Sequence, residues 1–98
     1  MGNLLAQAQK MQKSLEDARE ELRSASIEGS AGGSCKAVVD GMGQLKSLSI
    51  SASGPAAGSS DLEELVLLAV QNAQRDAKKH HDERMAKVTG GMNLPGLH

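Results

Sequence analysis

Ninety-eight residues allow one domain, and the composition limits what it can bury: nineteen are Leu, Ile or Val, and none is Phe, Tyr or Trp. Twelve acids against eleven bases leave a formal net charge of −1, which excludes a global pull toward nucleic acid, so any attraction to a polyanion has to come from local clustering. The single cysteine excludes an internal disulfide, and so thin a core points to a partner chain as the source of further burial.

The opening MGNLLAQAQK has no basic lead and no long apolar run, so no secretory signal is expected. No stretch approaches the roughly 20 apolar residues of a membrane span. A soluble, cytoplasmic chain with no membrane partner is the expectation.

Residues 3–25 contain no Gly or Pro, and Leu4, Ala8, Met11, Leu15, Ala18, Leu22 and Ala25 recur at spacings of four and three. That heptad seam predicts a helix packed lengthwise on another helix. Strands follow at about 26–29, 34–40 and 45–51. Cys35, Ala37 and Val39 alternate with Lys36, Val38 and Asp40, and Leu48 and Ile50 alternate with serines, the period of two that marks a strand. Asp40-Gly41 is a hairpin signal. The expected sheet is antiparallel, with one face covered and a Ser/Lys-rich face toward water. GSAGGS lacks the Lys-Ser/Thr of a phosphate loop and opens no helix, so its glycines predict tight turns.

Residues 52–60 predict a flexible connector. Ser60 as N-cap with Glu63 three residues on starts a second helix, over 61–89, which stops at Gly90-Gly91; a tail, 90–98, follows. Such a helix is about 43 Å long, against a radius of gyration of about 13 Å for a compact domain of this size. One end must therefore project. Leu62, Leu65, Val66, Ala69, Ala73 and Ala77 share a stripe that continues into His80, Arg84 and Lys87, while Arg75, Lys78 and Lys79 lie opposite. From Arg75 to Lys87 five bases face three acids. A second strip, His81, Met85 and Val88, is expected to receive the Leu4/Leu5/Met11 end of the first helix, giving a small body with a two-helix arm.

His80 and His81 do not predict a metal site. Adjacent residues point about 100° apart on a helix, the cation Arg84 shares the His80 face, and His80 with Glu83 makes only two ligands. Cys35 reads as core, with no His/Asp set to activate it. No enzyme, cofactor or small-molecule substrate is expected.

The opening helix NLLAQAQKMQKSLEDAREEL, the turn IEGSAGG from Ile27, the hairpin KAVVDGMG from Lys36 and the tail MAKVTGGMNLPG ending at Gly96 resemble the YbaB/EbfC nucleoid-associated proteins, in order and over nearly the whole chain. The resemblance implies an α+β fold of order α-β-β-β-α over a single domain, 1–98, with a small antiparallel three-stranded sheet and two long helices. It also implies a tweezer-like homodimer in the bacterial nucleoid whose projecting helices contact double-stranded DNA with little sequence preference, without catalytic residues or cofactor.

The residues expected to meet phosphates are Arg75, Lys78, Lys79, Arg84 and Lys87, followed by Lys10 and Lys13. Leu4, Ala8, Met11, Leu15, Ala18 and Leu22 of the first helix, with Leu62, Val66, Ala69 and Ala73 of the second, are expected to serve helix packing or the dimer. No aromatic is present to stack on unpaired bases, and nothing resembles a base-reading helix, so binding should be mainly electrostatic and salt-dependent. The rival reading is a dimeric protein-interaction scaffold that does not touch DNA.

Overall fold

The computed structural model describes residues 2–89; the expected tail 90–98 lies outside them. Two long runs, free of Gly and Pro after Gly2, become α1 (Gly2–Ser24) and α2 (Ser60–Val88), and the alternating segments between them become β1 (Ile27–Ala31), β2 (Cys35–Val39) and β3 (Leu45–Ile50). The fold is α+β, in the order α-β-β-β-α, with an antiparallel sheet of strand order β1-β2-β3. No helix among the described residues is long and apolar enough to cross a membrane.

The register decides which side chains share a face. Ala37 pairs with Gly29 on one side and Leu48 on the other, Cys35 with Ala31 and Ile50, and Val39 with Ile27 and Leu45. These apolar residues line one face, and α2 covers it over β1 and β2, burying Ala69, Ala73 and Ala77 against Cys35, Ala37 and Val39. The other face carries Glu28, Ser30, Lys36, Ser47 and Ser49, all exposed. The pairing skips Lys46, where Val38 meets Ser47 and Val39 meets Leu45, a bulge of the kind that re-aims a side chain. The Lys46 ammonium donates to the Ala25 carbonyl (3.3 Å) and to Ser26 Oγ (3.0 Å) at the end of α1.

Two glycines fasten the helices to the sheet. A Cβ on Gly29 would collide with the backbone nitrogen of Ala73 and lie 2.7 Å from the Ala69 carbonyl oxygen, so only glycine lets β1 approach α2 this closely. At the β2–β3 turn, Gly41 N–H donates to the Leu22 carbonyl at 2.6 Å, and a Cβ there would lie 2.7 Å from the same oxygen. Asp40 shapes that turn. Its buried carboxylate accepts from Met42 N–H (2.8 Å) and Gln44 N–H (3.0 Å).

One expectation needs correction. The N-cap of α2 is Ser59 and not Ser60: the Ser59 hydroxyl accepts from Leu62 N–H at 3.2 Å, and Glu63 N–H donates to the Ser59 carbonyl, also at 3.2 Å. Gly58, at φ 83°, turns the chain immediately before Ser59, so Ser60 already lies in the first turn. Within the single chain, α1 packs through its C-terminal part. Ala18 and Leu22 are buried and Met11 and Leu15 half-buried, whereas Ala8 is exposed and Leu4 keeps 74% of its surface.

Gly29→Ala forces a shift of two backbones, and overpacking of that kind costs about 1–3 kcal/mol. Chemical denaturation should show a loss in that range; an unchanged midpoint would contradict the close approach of β1 and α2.

Candidate nucleic-acid interface

α2 crosses the sheet from one set of turns to the other. Leu65 reaches Gly32 at the β1–β2 turn, and the Gln74 side-chain amide donates to the Gly43 carbonyl at the β2–β3 turn (3.2 Å). Gly41, Met42 and Gly43 then line a groove with Gln74, Lys78, His81 and Asp82. Only the last two turns of α2 lie past the sheet. They run beside α1, whose C-terminal end is held at the same β2–β3 turn through Leu22, so the two helices are antiparallel.

The level at which they meet is set by Glu21 and Arg84. Arg84 Nε donates to Glu21 Oε2 at 2.7 Å and Nη2 to Oε1 at 3.2 Å. At about 1.5 Å per residue, the step from Arg84 to Val88 advances roughly 6 Å, whereas the step from Glu21 back to Leu4 advances roughly 26 Å. The N-terminal half of α1 therefore reaches about 20 Å beyond the last residue of α2, in a molecule whose longest dimension is 65 Å. This revises the expected arm. His81, Met85 and Val88 are half-buried, but at the level of the Ala18–Leu22 end of α1, while the Leu4 end extends past them.

The candidate cations spread along this shape. Lys78 and Lys79 are exposed where α2 passes the sheet, Lys87 is exposed in its last turn, and Lys10 and Lys13 are exposed on the extending part of α1. Gly2 to Leu15 contains those two lysines and no acid, whereas Glu16, Asp17, Glu20 and Glu21 crowd the part of α1 nearer the sheet. Arg75 is exposed but oriented: it donates to Asn72 Oδ1, and Asn72 Nδ2 donates to the Ser30 carbonyl of β1 (3.0 Å). Arg84 is the exception, half-buried and held by the other helix. His80 is exposed, and His81 Nδ1 lies 3.3 Å from Asp82 Oδ1. Among the described residues no three His, Cys, Asp or Glu side chains converge on a common point.

Sequence reasoning missed Glu21. The pairing rule for helix side chains joins positions three or four apart on one helix, and the partner of Arg84 lies on the other. The only available signal was the acid-rich run Glu16–Glu21 itself. The guanidinium hydrogen bonds, then its charge, hold the Glu21 carboxyl below its usual value, and Glu21 in turn raises Arg84.

A second omission is the open side of the sheet. Leu45, Leu48 and Ile50 lie on the α2 face by register, yet they keep 50%, 38% and 46% of their surface, because α2 lies over β1 and β2. Leu67, seven residues before Gln74 and so on the same flank of α2, borders this notch and is also exposed.

Residues 1–92 match the model of the YbaB/EbfC DNA-binding family. A nucleoid-associated protein of Caldanaerobacter subterraneus subsp. tengcongensis is 42% identical over 99% of this chain and 89% of its own length. One from Saccharopolyspora erythraea is 42% identical over 99% of this chain and 93% of its own, and one from a Thermoanaerobacter species 41% identical over 99% and 89%.

A carboxyl whose pKa is lowered by folding adds stability above its unfolded value and loses it as pH falls through the folded one. The Arg84 Nε–H resonance, followed by NMR through an acid titration, should move with a midpoint below the ordinary glutamate value of 4.5. The transition should vanish in Glu21→Gln. A midpoint at or above 4.5 would mean that the pair does not form in solution.

Proposed function

The chain belongs to the YbaB/EbfC DNA-binding family, and from that premise we propose that it is a nucleoid-associated protein, acting in the cytoplasm as a homodimer that grips duplex DNA between two arms. The observation that carries this reading is the arm itself. Exposed cations recur from Lys78 and Lys79, where α2 passes the sheet, through Lys87 in its last turn to Lys13 and Lys10 on the extending, acid-free part of α1. Phosphates spaced along a duplex can be met by cations distributed over the length of the molecule, and cations on flexible stems follow a backbone without reading bases. Low sequence preference follows. The relatives' names as nucleoid-associated proteins support the same location, and the family gives no reason to assign a reaction, a cofactor or a small-molecule substrate.

The homodimer rests on the uncovered notch beside β3. Leu45, Leu48, Ile50 and Leu67 form an apolar surface continuous with the core, and a second copy supplies the burial that a chain without aromatics lacks. Residues 1–98 act as one domain in this arrangement, each protomer contributing one arm. Arg75 and the lysines make the phosphate contacts; Arg84 makes one only by leaving Glu21.

Fluorescence anisotropy with a random-sequence duplex tests both parts. Affinity should fall steeply with salt, and Lys10→Gln with Lys13→Gln should flatten the slope by about 1 for each lysine removed from contact. Equal slopes would remove the tip from the interface, and no binding at low salt would favour a protein-interaction scaffold. Leu48→Asp should yield a monomer by sedimentation and weaken DNA binding at least tenfold; a dimer of unchanged mass would place the seam elsewhere.

A further inference from the structure

Arg84 lies one turn before Lys87 on the same stripe of α2, yet its guanidinium is already occupied. Two parallel N–H···O bonds to Glu21, at 2.7 and 3.2 Å, reproduce the fork by which arginine holds two oxygens of a phosphate. Asp17, one turn away on α1, adds to the same field. Glu21 is more exposed than its partner, with 62% of its side chain accessible against 27% for Arg84. The carboxylate is thus the outer member of the pair and the one that a ligand oxygen would replace. Among the described residues this is the one ion pair that joins α1 to α2.

We propose that Glu21 is an internal stand-in for a DNA phosphate, holding Arg84 out of the interface and so limiting the affinity of the arm. This rests on the reading of the chain as a duplex-DNA binder. With Glu21 in place, a phosphate gains Arg84 only by displacing a carboxylate that remains nearby and repels it. The resting protein therefore binds with its lysines and keeps Arg84 silent, which holds binding weak and readily reversible. Removal of the Glu21 charge releases a pre-positioned fork beside Lys87, three residues on along α2.

The experiment compares wild type, Glu21→Gln, Arg84→Gln, the double variant and Glu20→Gln, all titrated into a random-sequence duplex between 50 and 200 mM salt. Glu20 is a neighbouring acid on α1 with no ion pair among the described residues, and it controls for the loss of one negative charge. Glu21→Gln should bind more tightly than wild type, by about threefold or more at the low-salt end, with a slope steeper by about 0.9 for each arm engaged. Arg84→Gln alone should stay within about twofold of wild type, since a silent residue is removed. The double variant should lose the gain, and Glu20→Gln should not show the steeper slope.

An unchanged or weakened Glu21→Gln, a double variant that keeps the gain, or a Glu20→Gln that equals Glu21→Gln would each overturn the proposal while leaving DNA binding intact. Wild type and every variant failing to bind would overturn both. Thermal melts on the same samples show whether each variant is folded, and a Glu21→Gln that binds less while fully folded counts against the proposal.

Discussion

The structure depends on how closely β1 can approach α2. Gly29 lies against the backbone of Ala69 and Ala73, at a separation that a side chain on residue 29 would prevent. A chain without aromatic residues cannot fill a wide space between helix and sheet, so it narrows the space. Small residues on both sides bring many atoms to contact distance, where individually weak dispersion attractions accumulate. The arrangement has a consequence for the sheet. A helix seated this closely over β1 and β2 leaves the third strand bare, and the apolar residues of β3 become an edge of core without a cover. The sequence economy that makes the fold possible also leaves part of the sheet's apolar face open.

A second glycine contact gives the molecule its length. Gly41 holds Leu22 at the β2–β3 turn, so α1 must leave the sheet from there, antiparallel to the outgoing end of α2. Glu21 against Arg84 then fixes how far the helices overlap. The overlap is short, and α1 continues alone beyond it. The separation of charge along α1 follows the same division. Four acids occupy the stretch beside Arg84, where Glu21 meets it, and the only charged side chains of the extending stretch are Lys10 and Lys13. A chain of net charge −1 can therefore present a locally cationic tip.

Much of the fold was legible because its signals are local. Alternation at Cys35, Ala37 and Val39 marks a strand in any context, and the taper from Leu62 and Val66 to Ala69, Ala73 and Ala77 marks the face of α2 that meets the sheet. What was not legible depends on how elements meet. Ser59 and Ser60 carry the same side chain, and only the turn at Gly58 chooses between them. A heptad seam repeats every seven residues, so sequence alone does not say which repeat of α1 faces which turn of α2, and Leu4 and Ala8 looked as packed as Ala18 and Leu22. The cations of the candidate interface were legible as exposed charges, since lysine is almost never fully buried without a partner. The engagement of Arg84 was not, because its partner lies 63 positions earlier on another helix.

The central claim is that the two-helix arm, and above all the acid-free end of α1, is where a polyanion binds. It is tested most directly by mapping amide and side-chain NMR shifts as a short duplex is added to the protein. Changes should concentrate at Lys10, Lys13, Lys78, Lys79 and Lys87 and leave Lys36, Ser47 and Ser49 on the outer sheet face undisturbed. Shifts confined to the sheet face, with the α1 end silent, would contradict the account.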